Sequence, residues 1–320
     1  MRGVRLGLAI PAADERPFDV AGFGLNSIDL LAVVAEYPAS NSKQRLQRFM
    51  HLPGGQIATA LTVCARLGLR SNYVGAFGSD ELGTMSRNSL VDDGIDVSAA
   101  RTIAGATNQF AVILVDARSG ERTVLWDRHP LLAWDPAEVP REAVTSGRML
   151  LLDCHETAAA TQAARYAREA GVPTLLDVEK VRPGIADLLQ QTDVIIAAQD
   201  FPLALTGYED LGRALQVMSR EFPAHLVCVT LGQEGSLARC HGREYRTPGF
   251  QVDCVDTTGA GDVFRGAFAA GCLRESHPEI DDLLTYANAV AALNCRALGA
   301  RGGIPTPREV EDLLLARQRM

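Results

Sequence analysis

The stretch DCVDTTGAGDVFRGAFAAGCL, Asp253 to Leu273, sets a carboxylate beside a glycine-rich turn and follows it with an apolar helix. Glycines at 259 and 261 let the backbone N–H groups of Gly259, Ala260 and Gly261 converge unobstructed, and the N-terminus of the helix adds partial positive charge. Such a cradle suits the oxygens of a transferring phosphoryl group. Asp262 is then placed to take the proton of an attacking hydroxyl as a general base. The plainer alternative is an N-cap aspartate, but a cap alone leaves Asp256 and the two threonines just upstream without a reason.

The chain that must hold this segment has 320 residues, 47% hydrophobic and 22% charged, with a formal charge of −8. That composition excludes disorder and fibrous repeats. It also lacks the clustered positive charge that nucleic acid or an anionic membrane would require, so small molecules are the expected partners. Seven cysteines are scattered without metal-ligand spacing, which favours free thiols and a reducing, cytoplasmic setting over disulfides or zinc. MRGVRLGLAIPAA is too short and interrupted for a secretory signal, and no apolar run reaches transmembrane length. Lys43 and Lys180 are the only lysines among 31 basic residues, which singles out both positions.

Strands and helices alternate along the chain. FDVAGF leads to GGQIATALTVCARLGL; RMLLLDC, PTLLDVEK, TDVIIAAQ and LVCVTLG are each strand-like, and all but the last precede a helical run. This alternation predicts an α/β core with a parallel sheet covered on both faces. Two segments break it: Leu30 to Leu52, and NQFAVILVDARSGERTVLWDR, which reads as a hairpin turning at Ser119 and Gly120. Segments of about 30–52 and 107–129 are expected to form a small accessory sheet, interleaved with a single domain over 1–320 and suited to act as a lid. A GxG at Gly22 and Gly24 lacks the third glycine of a dinucleotide fingerprint, and no P-loop motif is present.

DTTGAGDVFRGAF resembles the C-terminal signature of the PfkB, or ribokinase-like, carbohydrate kinases. PGGQIATALTVCARLGLRSNYVGAFGSDELG, Pro53 to Gly83, resembles the N-terminal one. VTLGQEGSLA, Val229 to Ala238, resembles the nucleotide-side loop, and GLNSID, Gly24 to Asp29, the first sugar-contacting turn; the likeness spans Asp19 to Pro305. It implies a three-layer α/β/α core with a β lid, and ATP-dependent phosphorylation of a sugar hydroxyl. Mg²⁺ is implied as cofactor, and a monovalent cation such as K⁺ near Asp256 and the 297–303 loop. A homodimer through the lid is implied as well.

Carried onto this chain, the resemblance makes Asp262 the base and the 259–261 turn the anion cradle, with Asp29, Gly54 and Gly55 orienting the sugar. Thr230, Gly232, Gly235, Thr258 and Asn288 fall on the nucleotide side. Gln56 and Thr59 stand where the family commonly has asparagines, and Ala198 and Phe201 where it has the NxxE pair that organises magnesium. LLDVEKVRP resembles the ketohexokinases, and NCRALGARGGIP with DVFRGAF the sulfofructose kinases, which points to a ketose or ketose derivative. Lys43, Gln109, Arg122 and Arg128 are substrate-contact candidates from the lid, Lys43 and the arginines for an anionic end. Arg265, three residues after Asp262, shares its helix face and is a further candidate. Lys180, after Asp177 and Glu179 at a strand end, reads as a nucleotide contact or a surface ion pair. A nucleoside kinase of the same fold and a non-catalytic sugar sensor are the alternatives. The first lacks an evident aromatic clamp, since only Phe110, Trp126 and Tyr37 are at hand.

Overall fold

The computed structural model describes residues 4–119, 121–274 and 279–318. Its main sheet runs, edge to edge, through Arg243–Thr247, Ser236–Cys240, Leu226–Thr230, Val194–Ala198, Thr174–Val178, Gly147–Asp153, Phe18–Phe23 and Ser71–Val74. The six strands from Leu226–Thr230 onward pair in parallel; the two at the other edge are antiparallel. Continuous apolar runs such as VIIAA explain the two-sided burial, because successive side chains enter opposite cores. Val194 and Ile196 pack under the helices Gln56–Arg66, Ala260–Arg274 and Ile280–Asn294. Ile195 and Ala197 pack under Thr157–Glu169, Ile185–Leu189 and Leu211–Glu221. The result is three layers, as the alternation of elements predicts.

The two interrupting segments meet in a separate sheet of Arg48–Gly54, Ser27–Val34, Phe110–Asp116 and Arg122–Asp127. Ser27–Val34 is antiparallel to Arg48–Gly54 and parallel to Phe110–Asp116. The hairpin from Phe110–Asp116 to Arg122–Asp127 is antiparallel, and its expected turn residue Gly120 lies outside the described residues. The first strand starts at Ser27 rather than near Leu30. Asp29 therefore sits within the small sheet, opposite Leu52 and Ala111, and not on a turn of the core. No helix among the described residues is long and apolar enough to cross a membrane. All seven cysteines are free, six of them buried.

Candidate active site

Two cavities open at the carboxyl ends of the parallel strands, where open α/β sheets bind ligands. One, of about 220 Å³, lies between the core and the small sheet and is lined by Ser27, Asp29, Gly55, Gln56, Gln109, Trp126, Thr258, Gly259 and Asp262. The other, of about 290 Å³, has Thr230, Gly232, Gly235, Phe264 and Asn288 in its wall. They adjoin at the 257–262 turn, since Thr257, Ala260 and Gly261 line the second cavity while Thr258, Gly259 and Asp262 line the first. A group transferred from one cavity to the other must pass over this turn.

The turn is built for an anion. The helix Ala260–Arg274 starts two residues before Asp262, so Asp262 is not its N-cap. Ala260 N–H closes onto Thr257 O at 3.2 Å, which corrects the expectation that all three turn amides face the anion. The N–H groups of Gly259, Gly261 and Asp262 have no hydrogen-bond partner among the described residues. Gly259 adopts φ +72°, and a Cβ there would lie 2.7 Å from Ala300 Cα, so only glycine fits. Asp256 braces the turn: its Oδ1 accepts from Thr258 N–H at 2.9 Å and Thr258 Oγ1 at 2.7 Å, and its Oδ2 from Gly299 N–H at 2.8 Å. Arg122 leans onto the same spot, 3.5 Å from Asp256 and 2.6 Å from Thr258 Oγ1. It therefore adds positive charge at the turn and lines neither cavity.

At the other wall, a Cβ on Gly54 would meet Asp29 Oδ2 at 2.7 Å, and Gly55 takes φ +88° where a Cβ would run into the Asn26 backbone. The glycine pair thus lets the backbone pass close over Asp29. Arg301, which the sequence reading missed, is 3% exposed and pins this turn by donating to Gly54 O at 2.6 Å and Thr59 Oγ1 at 3.3 Å. Thr59, in the place of the family's asparagine, is its partner.

Burial pushes the carboxyls of Asp29 and Asp262 up to about 6 each; in both, a nearby arginine, Arg301 or Arg265, opposes the shift. For Asp29 the folded state holds its proton more tightly than the unfolded chain, so stability present at pH 4 declines as pH rises through about 6. Asp29→Asn is expected to raise the melting temperature at pH 8 by about 1–2 °C for each kcal/mol relieved. The gain vanishes near pH 4, and thermal unfolding at the two pH values checks it.

Other expected contacts fall elsewhere. Lys43 is exposed on the loop between two small-sheet strands and lines neither cavity. Arg128 is held by Glu156 at 2.8 Å and Leu132 O at 2.9 Å, touching Gln109 Oε1 at 3.4 Å, so its charge is already compensated. Arg265 corrects the expectation most sharply. Its side chain turns into the sheet, where it is 4% exposed, pairs with Asp177 Oδ1 at 2.8 Å and donates from Nε to Ile196 O at 3.2 Å. His155, Glu179, Lys180 and Arg182 line the first cavity instead. Of these, the strand end DVEKVR was the signal available.

No cluster of three or more His, Cys, Asp or Glu side chains suited to a metal occurs among the described residues. Phe201, at the position of the family's glutamate, is 1% exposed in the core and leaves no room for a ligand there. Glu179 is the cavity carboxylate not otherwise engaged by the sugar-side assignment. The donor set suits Mg²⁺ carried chiefly by nucleotide phosphates and water.

The model of the pfkB family carbohydrate kinases matches residues 18–307. An ATP-dependent ribose-1-phosphate kinase of Halopiger xanaduensis is 29% identical, over 90% of this chain and 95% of that protein. Fructokinase-1 of Oryza sativa subsp. japonica is 28% identical, over 92% and 97%. The ribokinase of Bacillus subtilis is 27% identical, over 92% and 99%. Among solved structures, Arabidopsis thaliana ribokinase complexed with ribose and ATP superposes with a TM-score of 0.82 at 24% identity, covering 93% of this chain and 98% of that one. A fructokinase with bound ATP from Xylella fastidiosa gives 0.80 at 22%, covering 94% and 99%; both likenesses bear on the fold.

Proposed function

Since the chain belongs to the pfkB family of carbohydrate kinases, we propose that it transfers the γ-phosphoryl group of ATP to a hydroxyl of a small sugar, a ketose or ketose derivative. The observation that carries this reading is the adjoining of two cavities at one amide-lined turn, with Asp262 on the acceptor side. ATP would lie in the cavity of Thr230, Gly232, Gly235 and Asn288. The sugar would lie beneath the small sheet acting as a lid, its hydroxyls on Asp29, Gln56 and Gln109.

Asp262 takes the hydroxyl proton as the oxygen attacks the γ-phosphorus in line; the bond to the β,γ-bridging oxygen breaks and ADP leaves. The free N–H groups of Gly259 and Gly261 face the charge that spreads over the equatorial oxygens, and Arg122 adds to their field. Magnesium, when bound, would supply charge neutralisation on the phosphates, and Glu179 is the wall carboxylate that would help to hold it. A monovalent cation would rest chiefly on backbone carbonyls of the 297–303 loop beside Asp256, whose oxygens accept from Thr258 and Gly299.

The test is ADP release over a panel of ketoses, aldoses, sugar phosphates and nucleosides at fixed ATP. Turnover concentrated in the ketoses or their derivatives is expected. Turnover confined to nucleosides makes the protein a nucleoside kinase, and no turnover with any acceptor makes it a sensor.

A further inference from the structure

The acceptor cavity has a cationic end that the transfer chemistry leaves unused. Lys180 and Arg182, following the strand Thr174–Val178, line it together with His155 and the exposed ring of Trp126. Neither cation forms an ion pair among the described residues, although carboxylates partner most of the other arginines near the cleft. Arg182 is half-buried, its Nε is enclosed without a partner, and its one polar side-chain contact among the described residues is Nη2 to His155 Nδ1 at 3.4 Å. A guanidinium left unpaired in a cavity is costly unless a ligand completes it.

The charges in the cavity are also segregated. The groups acting on His155 are Arg128, Arg182 and Lys180, which with burial hold its pKa down to about 4. The carboxyl groups acting on Asp262 are Glu179, Asp177 and Asp29, with the buried Arg265 opposing its burial from the core side. A neutral His155 whose Nδ1 accepts from Arg182 carries its proton on Nε2 and offers a donor. Trp126 stands edge-on to that ring, centroids 6.0 Å apart. One end of the cavity is thus acidic and suited to hydroxyls, and the other presents two unpaired cations.

We propose that the acceptor sugar carries a phosphate substituent, which Arg182 and Lys180 hold at the His155 end of the cavity. The proposal rests on the kinase reading above and narrows its substrate class. Lys43, the other lysine, has no part in it.

The test compares fructose with fructose 6-phosphate and ribose with ribose 5-phosphate, by ADP release and by thermal stabilisation in the absence of turnover. A phosphorylated member is expected to be preferred in each readout. In Arg182→Gln the ratio of kcat/KM for that phosphorylated sugar over its neutral counterpart falls by about 10- to 100-fold. Lys180→Gln, at an exposed position, lowers the same ratio and serves if the first variant fails to fold.

A preference for the neutral sugars, or a ratio that neither substitution moves, overturns the proposal. A rise in KM for ATP that is equal with both sugars also overturns it, by assigning the cations to the nucleotide. ADP release from neutral sugars would survive each of these failures. Loss of the kinase reading itself would instead appear as no ADP release with any acceptor, and thermal stabilisation would still decide between the charged and neutral sugars.

Discussion

Arg265→Met is expected to destabilise the protein by about 3–5 kcal/mol, because it strands the Asp177 carboxylate inside the core. Arg265 and Asp177 are both almost fully buried, their side chains 5% and 3% exposed, and their ion pair spans 2.8 Å. Asp177 also lies close to Asp262, and burial together with that neighbour pushes its carboxyl well up against the pull of Arg265. One cation thus serves two carboxyls. Removing it raises the proton affinity of both, so the acid limb of the kcat/KM profile moves to higher pH. Urea unfolding measures the stability loss, and the double variant Arg265→Met/Asp177→Asn recovers much of it because no lone charge remains. If Arg265 were a substrate contact, the single variant would instead raise KM without a stability loss or a shifted profile.

This arginine also marks where the sequence stops being readable. Spacing on a helix, three residues after Asp262, identifies a shared face but not what the face meets. Here the arginine meets the sheet, and only the tertiary packing of Ile196 and Asp177 reveals that. The layered core was legible because buried parallel strands must be apolar along their whole length, as in VIIAA, and their helices carry periodic alanines and leucines. The 259–261 turn was legible because glycine is required there for a local reason. Asp29 was identified but placed on a turn, since nothing local distinguishes the end of a core strand at Phe23 from the start of a small-sheet strand at Ser27, four residues later.

Long-range partners were the least visible. Arg301 reaches back across the chain to Gly54, and a single arginine in a loop gives no sign of such a bond. Lys43 and Lys180 looked alike as rare lysines near the presumed cleft. Loop geometry separates them, leaving one in solvent and the other on the cavity wall.

The base assignment carries the largest effect on rate. Asp262 lies in the first turn of its helix, partly exposed to the acceptor cavity, with its carboxyl raised to about 6 by burial. A base with that proton affinity is ionised at neutral pH yet basic enough to accept the hydroxyl proton in the transition state. Wild-type kcat/KM should therefore rise through about pH 6 as Asp262 loses its proton. Asparagine keeps the size and loses the function. The decisive measurement is kcat of Asp262→Asn against wild type at pH 7.5, with saturating ATP and an accepted sugar, on protein whose melting transition is intact. A fall of about 10²- to 10⁴-fold is the predicted result, and near-wild-type turnover would contradict the account.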